Sequence, residues 1–136
     1  MSEVRVVWRA EFDNAALNRL HAEAFDHGVG VHDWLGQVRA HSLGWVCAFD
    51  GDDLVGFVNV AWDGRYHAFI MDTSVAFGSK RQGIGRALIA LAVERAREAG
   101  CDWLHVDFDE EYLQAFYFIA CGFVPTTAGL IKLLDD

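Results

Sequence analysis

Lys80-Arg81-Gln82-Gly83-Ile84-Gly85-Arg86 constrains the fold more than any other stretch, because a strand pattern runs into it and a helix pattern runs out. Upstream, residues 68–75 (AFIMDTSV) are rich in apolar and β-branched side chains, as a strand requires. Downstream, Ile84, Leu88, Leu91 and Ala92 recur three or four apart, and Ile89, Val93 and Ala96 widen the apolar stripe. Arg86, Glu94, Arg97 and Glu98 fall outside it, and Gly100 offers a stop. Strand, glycine turn and helix together are a layout that binds phosphate. The glycines admit backbone N–H groups to the anion, and the helix N-terminus adds roughly half a positive charge. Lys80, Arg81 and Arg86 place three of the chain's eleven basic residues at this turn.

Two other phosphate loops are excluded. A dinucleotide-binding turn wants a third small residue where Leu88 stands, followed by a ribose-binding acid. The nucleoside triphosphate loop needs Gly-Lys-Ser/Thr, which does not occur here.

About thirty residues on, Ala115-Phe116-Tyr117-Phe118-Ile119-Ala120-Cys121-Gly122-Phe123 supplies a second motif. Val75 followed by Lys80-x-x-Gly83-x-Gly85 resembles the acetyl-CoA signature of the GNAT superfamily of N-acetyltransferases, Gln/Arg-x-x-Gly-x-Gly/Ala. The Phe-Tyr…Gly-Phe stretch resembles that superfamily's late helix. The resemblance is strong over residues 43–134 and loose over the first forty. Lys80 departs from the usual Gln or Arg, keeping the charge but losing a bidentate donor. Glu110 stands where many members place Asn.

Composition narrows the alternatives. A chain of 136 residues, just over half of them hydrophobic, buries a two-layer core as one domain over 1–136. No run of eighteen uncharged apolar residues offers a membrane span. The first residues lack the basic-then-apolar pattern of a signal peptide, so a cytoplasmic location is expected. Cys47, Cys101 and Cys121 have no zinc-like spacing and read as buried, reduced small hydrophobes. A net charge of −9 disfavours nucleic acid and draws in cations such as amines.

Along the chain, residues 4–8 read as a first strand and 15–25 as a helix capped by Asp13 or Asn14. A short helix near 33–41 carries Asp33 as its cap. Strands over 43–49 and 54–62 are joined by Asp50-Gly51-Asp52-Asp53, a hairpin signal. After the long helix come a strand at 103–108, a helix at 110–121, and two closing strands near 123–124 and 130–134. This order gives an α/β fold with a mixed central β-sheet, antiparallel N-terminal strands and helices on both faces. The last strand could pair across a homodimer interface.

What the resemblance implies about chemistry is specific. The strand before the loop splays from its parallel neighbour, and the pantetheine arm of acetyl-CoA, the co-substrate, pairs with backbone at Thr73, Ser74 and Val75. The Val75 N–H would hold the thioester oxygen. Lys80, Arg81, Gln82, Gly83, Ile84, Gly85 and Arg86 would hold the diphosphate. Tyr117 matches the tyrosine that protonates the departing thiolate; without its motif it would read as a packed helix residue. A base to deprotonate the amine is open among Asp72, His105 and Asp107. Trp103, His105 and Asp107 alternate onto one face, a polar stripe unusual in a buried parallel strand. A His–Asp pair beneath a helix and a water chain remain alternatives. For the acceptor, Trp34 in the loop after the first helix and Asp107 are the candidate contacts. The resulting expectation is an N-acetyltransferase acting on a small cationic primary amine through a ternary complex. A peptide N-terminus is the variant acceptor, a non-catalytic acyl-CoA sensor the other class, and a nucleotide-binding domain a third reading with no support in the sequence.

Overall fold

A computed structural model describes residues 3–80 and 82–135. Five strands, β1 (Val4–Trp8), β2 (Ser42–Asp50), β3 (Asp53–Trp62), β4 (His67–Val75) and β5 (Trp103–Val106), lie side by side in sequence order. The first four run antiparallel, and β5 alone is parallel to its neighbour. Helices α1 (Asn14–Phe25) and α2 (Trp34–His41) precede β2, while α3 (Ile84–Glu98) crosses from β4 to β5. The expected mixed sheet is thus present. No described helix is long and apolar enough to cross a membrane.

Local chemistry sets these boundaries. Asp50 opposes Asp53 across the β2–β3 hairpin, so the Asp-Gly turn fixes the register of these two long strands. The Asp13 carboxylate accepts the Ala15 N–H to cap α1. Asp33 caps α2 by accepting the Gly36 N–H at 3.0 Å, and that amide holds the Asp33 carboxyl below the usual carboxylate range, helped by the Asn14 side chain.

Each of β2 and β3 has six consecutive buried residues, because helices cover both faces. Val46, Val58, Val60 and Ile70 meet Leu88, Ile89 and Ala92 of α3 on one side. Trp45, Cys47 and Phe57 meet Leu17 and Leu20 of α1 and Trp34 and Val38 of α2 on the other. Burying each such Leu or Val contributes about 1.5–3 kcal/mol.

The C-terminal third departs from the sequence reading in four ways. Strand β5 ends at Val106 rather than 108. It is an edge strand, so Leu104 and Val106 pack inward while Trp103 and His105 face outward uncovered. The alternation is therefore that of a half-solvated strand, not a polar stripe in a buried one. The late helix starts after a turn at Glu111–Tyr112 and is π-helical over Ala115–Ala120, with the Cys121 N–H donating to Phe116 O at 2.9 Å. Residues 123–134 form no strand. A strand exists only by pairing, and no described strand meets these residues at the outer edge of β5.

Candidate active site

The β4–β5 ladder runs from His67 opposite Trp103 to Ile70 opposite Val106 and stops. Beyond Ile70 the two chains separate, and β4 carries a bulge. Register steps from Asn59 opposite Met71 to Phe57 opposite Ser74, so Asp72 and Thr73 together face Val58. Asp72 takes a left-handed φ of 59°, and the Ser74 hydroxyl donates to the Asp72 carbonyl at 3.0 Å to hold the turn. The Ala76 N–H donates to Val55 O at 2.9 Å, so Ala76 and Ser74 bond toward β3. By the alternation of an antiparallel ladder, Val75 turns its N–H and C=O to the opposite side, into the gap. This is the splayed parallel pair the resemblance implied.

The gap opens into a cleft of about 850 Å³ bounded by the end of α1, β4, the start of α3, the chain after β5 and the π-helix. At its α3 end, Gly83 is the helix N-cap with φ 77° and supplies no capping side chain, and the first turn holds no acid. Ala87 is the first amide to close an intrahelical bond, to Gly83 O at 3.0 Å. The N–H groups of Ile84, Gly85 and Arg86 therefore lie open at the positive end of the helix dipole. Lys80 and Arg86 line the same end, with the Lys80 ammonium 4.6 Å over the Phe77 ring. The loop is tied to α1, because the Phe77 N–H donates to Glu23 Oε2 at 3.1 Å. A diphosphate fits this donor set. Gly85 also permits close helix packing, since a Cβ there would sit 3.1 Å from Phe116 Cζ.

On the opposite wall Tyr117, 6 % exposed, stacks on Phe108 with ring centroids 4.9 Å apart and meets Phe116 and Phe123 edge-on. Burial raises the phenol pKa, and a hydrogen bond with the Thr73 side chain offsets part of that rise. Tyr117, Asp72, Thr73, Val75 and Asp107 all line the cleft, as do Lys80, Gly83, Ile84, Gly85 and Arg86. Ser74 is buried behind it, and Gln82 is exposed outside the lining. Arg81 lies outside the described residues.

Two further candidates stand apart from the cleft. His105 Nε2 lies 2.8 Å from His67 Nδ1, and its ring stacks on Phe69 at 4.6 Å on the uncovered sheet face. Trp34 is 9 % exposed and donates from Nε1 to Asn18 Oδ1 at 3.1 Å, a core position beneath α1. Two residues not singled out from the sequence do reach the site. Asp26 lines the cleft from the C-cap of α1, and His21 contacts Asp72. His21 left a faint signal, being a polar residue four positions from both Leu17 and Phe25 on the apolar side of α1.

An open helix N-terminus beside a split parallel pair, with cations at one and unpaired backbone at the other, is the layout of a site that takes a long ligand with a diphosphate at one end. The family model described as "Acetyltransferase (GNAT) family" matches residues 5–123, and the chain belongs to that family of N-acetyltransferases, whose acetyl donor is acetyl-CoA. No curated protein matches the sequence significantly. Solved structures of similar fold include a GNAT family acetyltransferase of Streptococcus pneumoniae, with 22 % identity over 98 % of this chain and 100 % of that one, at a TM-score of 0.78. Another is glucosamine-6-phosphate N-acetyltransferase of Arabidopsis thaliana, with 14 % identity, 98 % and 99 % coverage and a TM-score of 0.80. A third is an aminoglycoside acetyltransferase from an uncultured soil metagenomic sample, at 20 % identity, 97 % coverage of both chains and a TM-score of 0.79.

Proposed function

We propose that this acetyltransferase modifies the primary amine of a small cationic molecule by direct attack, with donor and acceptor bound together. The distribution of charge within one cleft carries the reading. Cations gather at the α3 N-terminus, whereas Asp26, Asp72 and Asp107 enter from the end of α1, the β4 bulge and the end of β5. The first group suits a diphosphate and the second an ammonium. Two of the similar folds bear the names of enzymes for amine-bearing small molecules, which agrees with this acceptor class.

In this reading the open amides of Ile84, Gly85 and Arg86, with Lys80, hold the diphosphate. Acetyl-CoA brings an activated acetyl group, and the protein supplies position and charge. The Val75 N–H receives the thioester oxygen, a contact worth roughly 3 kcal/mol where such donors have been removed in other enzymes. Tyr117 hydrogen-bonds the sulfur as it leaves.

Calorimetry with acetyl-CoA, followed by thiol-release assays over a panel of polyamines, amino sugars and peptides, tests the proposal. We expect saturable binding and turnover on the small cations. Turnover confined to peptide N-termini would overturn the acceptor class, and absence of binding would overturn the site.

A homodimer is part of the same proposal. Leu130, Ile131, Leu133 and Leu134 are each more than four-fifths exposed, and together they form an apolar segment of strand-forming composition. A second copy offering the outer edge of β5 would seat that segment as a further strand. Sedimentation should show a dimer that Ile131→Asp with Leu133→Asp converts to monomer; a monomeric parent protein would refute this.

A further inference from the structure

Three side chains form an unbroken path from the cleft to solvent. Asp72 Oδ1 lies 3.1 Å from His21 Nε2, His21 Nδ1 lies 2.7 Å from His27 Nε2, and His27 Nδ1 lies 2.6 Å from the Gly28 carbonyl oxygen. Asp72 lines the cleft and His27 is exposed at the surface. Between them the His21 ring is held in place. It stacks on Phe25 at 4.4 Å and leans on Trp34 at 4.8 Å, and Trp34 is itself anchored to Asn18. The left-handed turn at Asp72 brings its carboxylate to α1, 51 residues away in sequence.

Counting donors limits where the protons sit. Gly28 O only accepts, so His27 Nδ1 carries a hydrogen. His27 Nε2 and His21 Nδ1 share one proton between them. So do His21 Nε2 and Asp72. Filling all three contacts takes three protons, whereas two neutral imidazoles and one carboxylate hold two. The contacts of 2.6 and 2.7 Å are filled when each ring carries its proton on Nδ1. The contact then left short of a proton is the longest, at 3.1 Å, and it is the one beside the cleft.

We infer that Asp72, His21 and His27 form a proton relay that takes the proton of the acceptor ammonium at Asp72 and passes it to water at His27. This rests on the acetyl-transfer reading and names its base. Each step breaks one bond to hydrogen and makes another. The ammonium N–H proton moves to the Asp72 carboxylate and on to His21 Nε2. The His21 Nδ1 proton moves to His27 Nε2, and the His27 Nδ1 proton leaves to water. Both rings then carry their proton on Nε2 and return to the Nδ1 form by exchange with water or ring rotation before the next turnover. The amine is left neutral for attack and the chain holds its original number of protons. Asp72 is the catalytic residue; His21 and His27 act through it. In water a carboxylate holds a proton roughly 10⁶-fold less well than an amine does, and an imidazole roughly 10⁴-fold less well. Passing the proton to imidazole thus removes much of the obstacle to a lone aspartate.

Two experiments decide it, and both use the full chain. Ring-¹⁵N NMR of histidine-labelled protein should show both imidazoles protonated on Nδ1, with the His21 tautomer altered in Asp72→Asn and in His27→Gln. Rings protonated on Nε2, or indifferent to both substitutions, overturn the relay. The second is the pH profile of kcat/KM between pH 6 and 10 with an amine from the panel that turns over. Charged groups that share the surroundings are Asp72 and His27 against His21, Glu23 on α1 and Asp26 at its C-cap, Asp107, Asp109 and Glu110 across the cleft, and Lys80 and Arg86 at its α3 end. We expect His21→Gln to lower kcat/KM by ~10²-fold or more at pH 7, a loss that shrinks toward pH 10 as the amine loses its own proton. Added imidazole should restore part of the activity of His27→Ala. A loss of equal size at every pH, or none, overturns the relay. If no amine turns over, the acetyl-transfer reading fails while the NMR result still decides the hydrogen-bond chain.

Discussion

Tyr117→Phe separates the packing of this ring from the role proposed above for its hydroxyl. The substitution keeps the aromatic stack on Phe108 and removes only the hydroxyl and its hydrogen bond with Thr73. One neutral hydrogen bond contributes about 1 kcal/mol, so the variant should fold with a melting temperature only a few degrees lower. The effect on rate should be larger. A phenol ionises near 10 in water and burial raises Tyr117 further, whereas a thiol ionises near 8.5. Full proton transfer to the leaving sulfur is uphill by more than about 2 kcal/mol. The contribution left is a hydrogen bond to a sulfur that is gaining charge, about 1.5–3 kcal/mol, or roughly 10–10²-fold in kcat. Because the raised pKa keeps the phenol protonated, the loss should be constant from pH 6 to 9. Thiol release measures kcat, and calorimetry measures acetyl-CoA binding, which should change by less than threefold. A kcat within threefold of the parent refutes the role, and a kcat loss matched by weaker acetyl-CoA binding assigns the residue to packing instead.

Gly85→Ala should weaken acetyl-CoA binding at least tenfold. The new Cβ would sit 3.1–3.2 Å from the Phe116 ring, and overpacking of about 1–3 kcal/mol is partly offset by about 1 kcal/mol of helix propensity. Adding Phe116→Leu should recover stability but not binding; recovery of both, by calorimetry, would trace the effect to Phe116 rather than to the phosphate. Cys47 is fully buried and burial pushes its thiol to about 12 from 9.0. Between those values the unfolded chain ionises and the folded one does not, so stability should fall as pH rises from about 9, by up to about 4 kcal/mol. Urea midpoints at pH 8 and 11 should show that fall, and Cys47→Ala should flatten it after correction for its own cavity cost.

The N-terminal two-thirds of the fold was legible because its signals are local. Asp13 and Asp33 announce helix starts, Asp50-Gly51 announces a hairpin, and the stripe from Ile84 to Ala96 announces the face of α3. The C-terminal third misled because strand composition is not strand pairing. Residues 130–134 have the apolar makeup of a strand, yet they join no described strand, and the outer edge of β5 stays open. His105 misled for a related reason. Its alternation with Trp103 was real, but β5 ends before Asp107, and at a sheet edge that pattern means solvent on one face, not a buried polar stripe.

The cleft itself divides along the same line. The end proposed to hold the diphosphate consists of backbone amides within a few residues of one another, so spacing alone recorded it, and Gly83 takes a left-handed turn there. Its acceptor end depends on what a bulge brings together. Without the extra residue in β4, the Asp72 side chain would follow the strict alternation of the strand and could not combine a place in the cleft with a 3.1 Å approach to His21 on α1. A sequence records Asp72 and His21 as separate polar residues in two apolar patterns. Their contact is created by a positive φ at a non-glycine residue, a strained conformation costing of order 1–3 kcal/mol. Replacing Asp72 with Gly would relax that backbone and remove the carboxylate, so a gain in stability together with a loss of turnover is the expected signature of strain kept for chemistry. A variant that loses stability as well would mean that the carboxylate's bond to His21 holds the bulge, and that the strain serves packing.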